Sequence, residues 1–121
     1  MNRTDFFHKT SEVPQFLPLP KFILEVPMTM TAKVVYAMLL GRTTLSQRNG
    51  WLDEDGRIYI IYTIENLARD LHKGDSAIKA ALKELVKFDL LVKVKTGYSR
   101  PNRLYVKCCF EEENREYEGP M

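Results

Sequence analysis

The chain has 121 residues, which fits one compact domain with a segment at each end. Its hydrophobic share of 45% is ordinary for a globular protein, and its mean hydropathy is −0.29. No apolar run approaches the ~18 residues of a membrane span, and the opening MNRTDFFHKT lacks the apolar core of a secretory signal. We therefore expect a cytoplasmic protein without membrane contact.

Metal and disulfide chemistry find few ligands in this sequence. Cys108 and Cys109 are adjacent on a predicted strand, where neighbours point to opposite faces, so a disulfide between them is not expected. There is no CxxC pair and there are only two histidines. The sequence predicts no metal site and no cofactor.

The net charge of +2 conceals an uneven distribution. Residues 63–107 hold ten Lys and Arg against five Asp and Glu, whereas residues 111–118 hold five Glu against one Arg. A basic segment followed by an acidic one is more informative than the mean charge.

Residues 1–28 are predicted to form an extended N-terminal arm. Four prolines between positions 14 and 27 exclude a regular helix. FILEV (22–26) is expected as a short edge strand, and its apolar residues need a partner surface either in their own domain or on a second subunit. The second alternative predicts a dimer contact through Phe22, Ile23 and Leu24.

Helical spacing and turn residues define the next elements. TAKVVYAMLLGRTTLSQ, from Thr31, predicts a first helix that ends at Asn49-Gly50. WLDEDGRIYIIY (51–62) is typical of a tight hairpin around Asp-Glu-Asp-Gly, with Trp51 expected as a core anchor beneath it.

The rest of the chain predicts two helices and a second hairpin. Thr63 caps IENLARDL, the turn follows at 72–75 with Gly74 permitting the sharp backbone, and a third helix runs from about Ser76 to Phe88. LLVKVKT (90–96) and RLYVKCC (103–109) alternate as strands around GYSRPN. The order predicts an α+β winged helix-turn-helix over residues 29–110, with the arm and the tight hairpin as additions.

Two cation groups in this fold predict contact with nucleic acid. The third helix places Ile78, Ala81, Leu82 and Leu85 on one side and lysines and small residues on the other, with Glu84 at the flank. Lysines bind phosphates, and small side chains allow close approach to base edges. The predicted DNA-binding residues are Lys73, Ser76, Ala77, Lys79, Ala80 and Lys83 around the helix, and Lys95, Tyr98, Arg100 and Arg103 in the wing.

Other functions remain open from the residues alone. A lysine-rich helix face can serve solubility only, and the apolar arm and the lack of arginine on the third helix fit a protein-interaction module. A transcription regulator would share the same shape. No GxSxG, HExxH or P-loop motif occurs, so no enzyme is expected.

Residues 32–71, 77–85 and 100–107 resemble the N-terminal domain of the RepA-type replication initiators of plasmids and integrated elements in Gram-positive bacteria. NGWLDEDGRIYIIYTIE is the distinctive stretch, and PKFI (20–23) also matches. The resemblance implies a winged helix that binds repeated duplex DNA sites at an origin, forms a homodimer, and contacts DNA through the third helix and wing. It also implies that residues 111–121 are an acidic linker to a C-terminal domain that engages host replication proteins.

Overall fold

The computed structural model describes residues 3–110, and the acidic segment 111–121 lies outside them. After a 3₁₀ turn at Lys21–Glu25 come three helices, α1 (Met30–Asn49), α2 (Ile64–Leu71) and α3 (Asp75–Lys87). Two antiparallel strands follow, β1 (Leu91–Val94) and β2 (Arg103–Val106). The winged helix-turn-helix prediction is confirmed.

Backbone capping sets where α1 begins and ends. The Thr29 hydroxyl accepts a hydrogen bond from the Ala32 amide at 3.2 Å. At the other end Gly50 adopts a left-handed conformation, with φ of 76°, and Trp51 N donates to Ser46 O at 3.0 Å. These bonds satisfy terminal backbone groups that the helix itself leaves unpaired.

The predicted hairpin after α1 is present as isolated β-bridges, one of which joins it to the two-stranded sheet. Leu52 pairs with Ile58, and Ile60 pairs with Leu104 of β2 through two backbone hydrogen bonds of 2.9 Å. β2 then pairs with β1, with Val92 opposite Tyr105 and Val94 opposite Arg103. The strands are shorter than predicted, so Lys95 lies in the turn beyond β1 rather than on a strand.

The core forms where the helices meet the inner face of this sheet. Its fully buried side chains come from the 3₁₀ turn, the three helices, the hairpin segment and β1, and they include Ile23, Val35, Tyr36, Leu39, Ile60, Leu67, Ile78, Leu85 and Leu91. The predicted buried side of α3 is confirmed for all four of its residues. The side opposite to them is therefore left to solvent, which is what a binding helix requires.

Two expectations about apolar residues were wrong. FILEV is a 3₁₀ turn and not an edge strand; Ile23 N donates to Pro20 O, and the buried Lys33 ammonium donates to Leu24 O at 3.0 Å. Trp51 is 49% exposed and its ring lies tilted beside that of Tyr59, so it is not a core anchor.

The three residues of the predicted dimer contact differ in how far they are buried in their own subunit. Ile23 is buried in its own subunit, and Phe22 is half-buried with its ring edge towards Tyr36. Leu24 is 53% exposed. Of the three residues, Leu24 is the one whose side chain can best meet a second subunit.

None of the helices described over residues 3–110 is both long and apolar enough to cross a membrane.

Candidate nucleic-acid interface

The turn between α2 and α3 is built differently from the sequence prediction. His72 takes the left-handed conformation, with φ of 56°, and Lys73 N donates to Ala68 O at 3.0 Å. Gly74 is extended, with φ of −77° and ψ of 161°, and it caps α3 through its backbone alone. The sharp bend is therefore made by His72 and not by Gly74. Asp75 lies in the first turn of α3, where an anion is favourable.

The exposed side of α3 carries the predicted lysines and small residues. Ser76, Lys79, Ala80 and Lys83 are exposed, Ala77 is half-buried, and Lys73 is exposed in the preceding turn. Lys79 and Lys83 are four residues apart, so they are neighbours on one helix face. The small residues beside them leave room for the helix backbone to approach a flat or grooved ligand.

Glu84, the acid in the middle of α3, is hydrogen-bonded to Thr29 at the start of α1. One carboxylate oxygen accepts from Thr29 N at 2.9 Å and the other from the Thr29 hydroxyl at 2.7 Å. These hydrogen bonds lower the pKa of Glu84 below its ordinary value of 4.5. The Glu84 carboxylate is held by hydrogen bonds at the start of α1, so it does not form ion pairs with Lys79 or Lys83 on the exposed side of α3.

The wing is the turn that joins β1 to β2. Lys95, Tyr98 and Arg100 are exposed there, and Tyr98 is 96% exposed. The turn is closed by Arg100 N donating to Gly97 O and by the Thr96 hydroxyl donating to Pro101 O, both at 3.3 Å. Little of residues 3–110 covers the Tyr98 ring, so the ring is available to a ligand.

Arg103 differs from the other predicted wing residues. It lies on β2 at the base of the wing, half-buried, and its guanidinium is 4.1 Å from the centre of the Tyr59 ring. This cation–π contact fixes the side chain against the hairpin. Its placement favours a role in supporting the wing base.

The cations of α3 and the wing are not neutralised by acids in the part of the chain that the structure describes. The ion pairs found there join Arg69 to Asp70 at 3.5 Å and Lys107 to Asp89 at 2.8 Å. Neither pair includes a predicted DNA-binding residue. These charges therefore remain available to an anionic partner.

Sequence reasoning missed the Thr29–Glu84 link and the Arg103–Tyr59 contact. Both contacts join residues more than forty positions apart, so no local sequence pattern predicts them. The only available signal for the first was a single acid in the body of a helix that is otherwise basic beyond its first turn. Charge pattern and helical spacing did locate the exposed lysines.

Known proteins with this architecture match the chain over most of its length. The family model of the replication initiator protein A (RepA) N-terminus matches residues 15–119. A "41 kDa protein" of Lactobacillus helveticus is 30% identical over 90 residues, which cover 74% of this chain and 25% of the relative. The chain thus spans about a quarter of the length of that relative.

Solved structures are also similar to the chain over most of its length. One described as "Structure of MDR initiator" is 36% identical, with a TM-score of 0.65, covering 83% of this chain and 82% of the other. Another, described as "Structure of Rep-DNA complex", is 29% identical, with a TM-score of 0.67, covering 88% and 92%.

The fold and the exposed cations define a winged-helix domain with a basic third helix. The chain belongs to the RepA N-terminal family of replication initiators.

Proposed function

We propose that this domain binds double-stranded DNA at repeated origin sites for a replication initiator, with α3 in the major groove and the wing beside it. The observation that carries the proposal is the exposed face of α3, where Lys79 and Lys83 flank Ala80 and the flanking acid Glu84 is hydrogen-bonded to Thr29. The solved relative described as a Rep-DNA complex supports the same partner.

Each group on this surface has a distinct proposed role. Lys73, Lys79 and Lys83 neutralise phosphates and supply affinity that does not depend on base sequence. Ser76, Ala77 and Ala80 contact base edges, with the alanine methyl groups against thymine methyls. Lys95, Tyr98 and Arg100 follow the backbone of the adjacent groove, while Arg103 holds the wing base.

The domain is proposed to act as a cytoplasmic homodimer, since the two subunits of a dimer can bind two copies of a repeated DNA site. Contact with host replication proteins is assigned to a C-terminal domain, because the matched relative is about four times as long as the matched region. No catalytic role and no cofactor are proposed for this domain.

Fluorescence anisotropy separates this proposal from a protein-interaction module. We expect the 121-residue chain to bind a labelled random duplex at low salt and to lose that affinity steeply as salt rises. Selection of bound duplexes from a random pool should then yield a repeated motif. Absence of any anisotropy change even at low salt would reject DNA as the partner.

A further inference from the structure

The outward face of the sheet carries an unpartnered set of apolar and aromatic side chains. Ile60, Leu91 and Leu104 point into the core. Since alternate strand residues point to opposite faces, their neighbours point outwards. We call this outward set the aromatic sheet face; it consists of Trp51, Tyr59, Ile61, Val92, Val94, Arg103 and Tyr105.

The aromatic sheet face is already ordered by its own contacts. The Tyr59 ring lies between those of Trp51 and Tyr105, with centroid distances of 6.4 Å and 6.3 Å. Trp51 nevertheless remains 49% exposed, and Val92 is 40% exposed. A contiguous apolar set of this kind, rimmed by polar groups, marks a binding surface.

The rim of this face is acidic at the hairpin tip, which disfavours DNA there. Asp53, Glu54 and Asp55 form the hairpin tip, and the Tyr105 hydroxyl donates to the Asp53 carboxylate at 3.0 Å. Carboxylates at this position repel phosphates. Arg103 within the face is held over the Tyr59 ring, so positive charge on a partner is favoured at the hairpin-tip rim and apolar side chains are favoured beside Trp51 and Tyr59.

The chain's own N-terminal arm has that chemistry. Phe6 and Phe7 are 84% and 70% exposed, with Arg3 and Lys9 on either side and Asp5 as the acid between them. Within residues 3–110, both phenylalanine side chains are therefore left mostly uncovered. The arm and the aromatic sheet face are both exposed and have complementary chemistry, which favours binding of the arm of one copy to the face of another.

We infer that the arm of a second copy of this chain lies on the aromatic sheet face, with Phe6 and Phe7 against Trp51 and Tyr59, and with Arg3 and Lys9 near the acidic rim. The exchange is reciprocal, so each copy supplies one arm and one face, as a two-fold dimer requires. The inference rests on the proposed homodimer and specifies which two surfaces form its interface.

Two variants of the full 121-residue chain test it by sedimentation equilibrium. The arm variant is Phe6→Ser with Phe7→Ser, and the face variant is Trp51→Ser. Each alone should weaken self-association by about 10-fold or more, because aromatic anchors dominate interfaces. Phe110→Ser, at a site that is 85% exposed outside both surfaces, is the matched control and should leave the wild-type mass unchanged.

Mixing the two variants gives the decisive result. A pair made of one arm variant and one face variant retains one intact arm-on-face contact, whereas each variant paired with itself retains none. We expect the equal mixture to associate more tightly than either component. Failure of the mixture to do so, or a wild-type chain that is monomeric throughout, would overturn the inference.

Two controls keep the outcome unambiguous. Val92→Lys is a second face variant at an exposed position and should reproduce Trp51→Ser, which guards against misfolding at Trp51. Binding to a duplex carrying a single site should survive in both variants, because Phe6, Phe7 and Trp51 lie outside α3 and the wing turn and none of them is a predicted DNA-binding residue. Absence of DNA binding by the wild type would reject the proposed function. The sedimentation measurements would still test the dimer independently.

Discussion

Glu84 illustrates how one side chain can shape a binding surface that it does not join. Its carboxylate accepts two hydrogen bonds from Thr29 and ties the start of α1 to the middle of α3. The same contact removes the acid from the lysine face. One residue thus contributes both to the packing of the helices and to the positive field of the interface.

Replacing Glu84 with Gln should lower the thermal midpoint at neutral pH. The folded-state pKa of Glu84 lies below its ordinary value of 4.5, so the carboxylate favours the folded state. This contribution is complete above pH 4.5 and is lost as the pH falls through the lowered pKa. Melting curves by circular dichroism should therefore converge for the two proteins in acid. A difference that stays constant from neutral to acid pH would contradict this role.

His72 and Gly74 provide a paired test of the turn. His72→Gly should stabilise the domain by up to about 1 kcal/mol, because a left-handed backbone is costly for a residue with a Cβ. Gly74→Ser should also stabilise it, by about 0.5–1 kcal/mol, since position 74 is extended and an added Cβ would meet nothing within 4 Å. Urea denaturation measures both. Destabilisation by Gly74→Ser would restore the role that the sequence assigned to Gly74.

The helices and hairpins could be predicted because their signals are local. Apolar spacing located α1, α2 and α3, and turn residues located both hairpins. The 3₁₀ turn at Lys21–Glu25 could not be predicted, because it depends on the distant Lys33 and on burial of Ile23 against the helices. The pairing of Ile60 with Leu104 is likewise a contact between segments far apart in the chain.

The 3₁₀ turn now allows the arm's two roles to be separated. Ile23→Ala should destabilise the fold by about 2–5 kcal/mol, because Ile23 is fully buried. Leu24→Asp should leave the melting temperature nearly unchanged and weaken self-association, as Leu24 is 53% exposed. Light scattering across a dilution series checks the mass. A Leu24→Asp protein as dimeric as the wild type would remove this turn from the subunit contact.

Across the domain as a whole, charge is sorted onto separate surfaces. The lysines of α3 and the cations of the wing are exposed, whereas the acids 53–55 border the aromatic sheet face. This sorting fits a molecule that binds DNA with one surface and its own second copy with another. The sequence predicted the basic segment, but only the fold shows that the hairpin acids rim a sheet face.

The most direct test is the salt dependence of DNA binding by Lys79→Ala with Lys83→Ala. Two phosphate contacts are removed, so the slope of log affinity against log salt should flatten by about 1.8, and affinity should fall by roughly 10-fold for every duplex sequence. Lys21→Ala with Arg48→Ala removes the same charge from exposed positions outside α3 and the wing, and it should leave the slope nearly unchanged. Equal slopes for the wild type and the α3 variant would contradict the assignment of this helix to DNA.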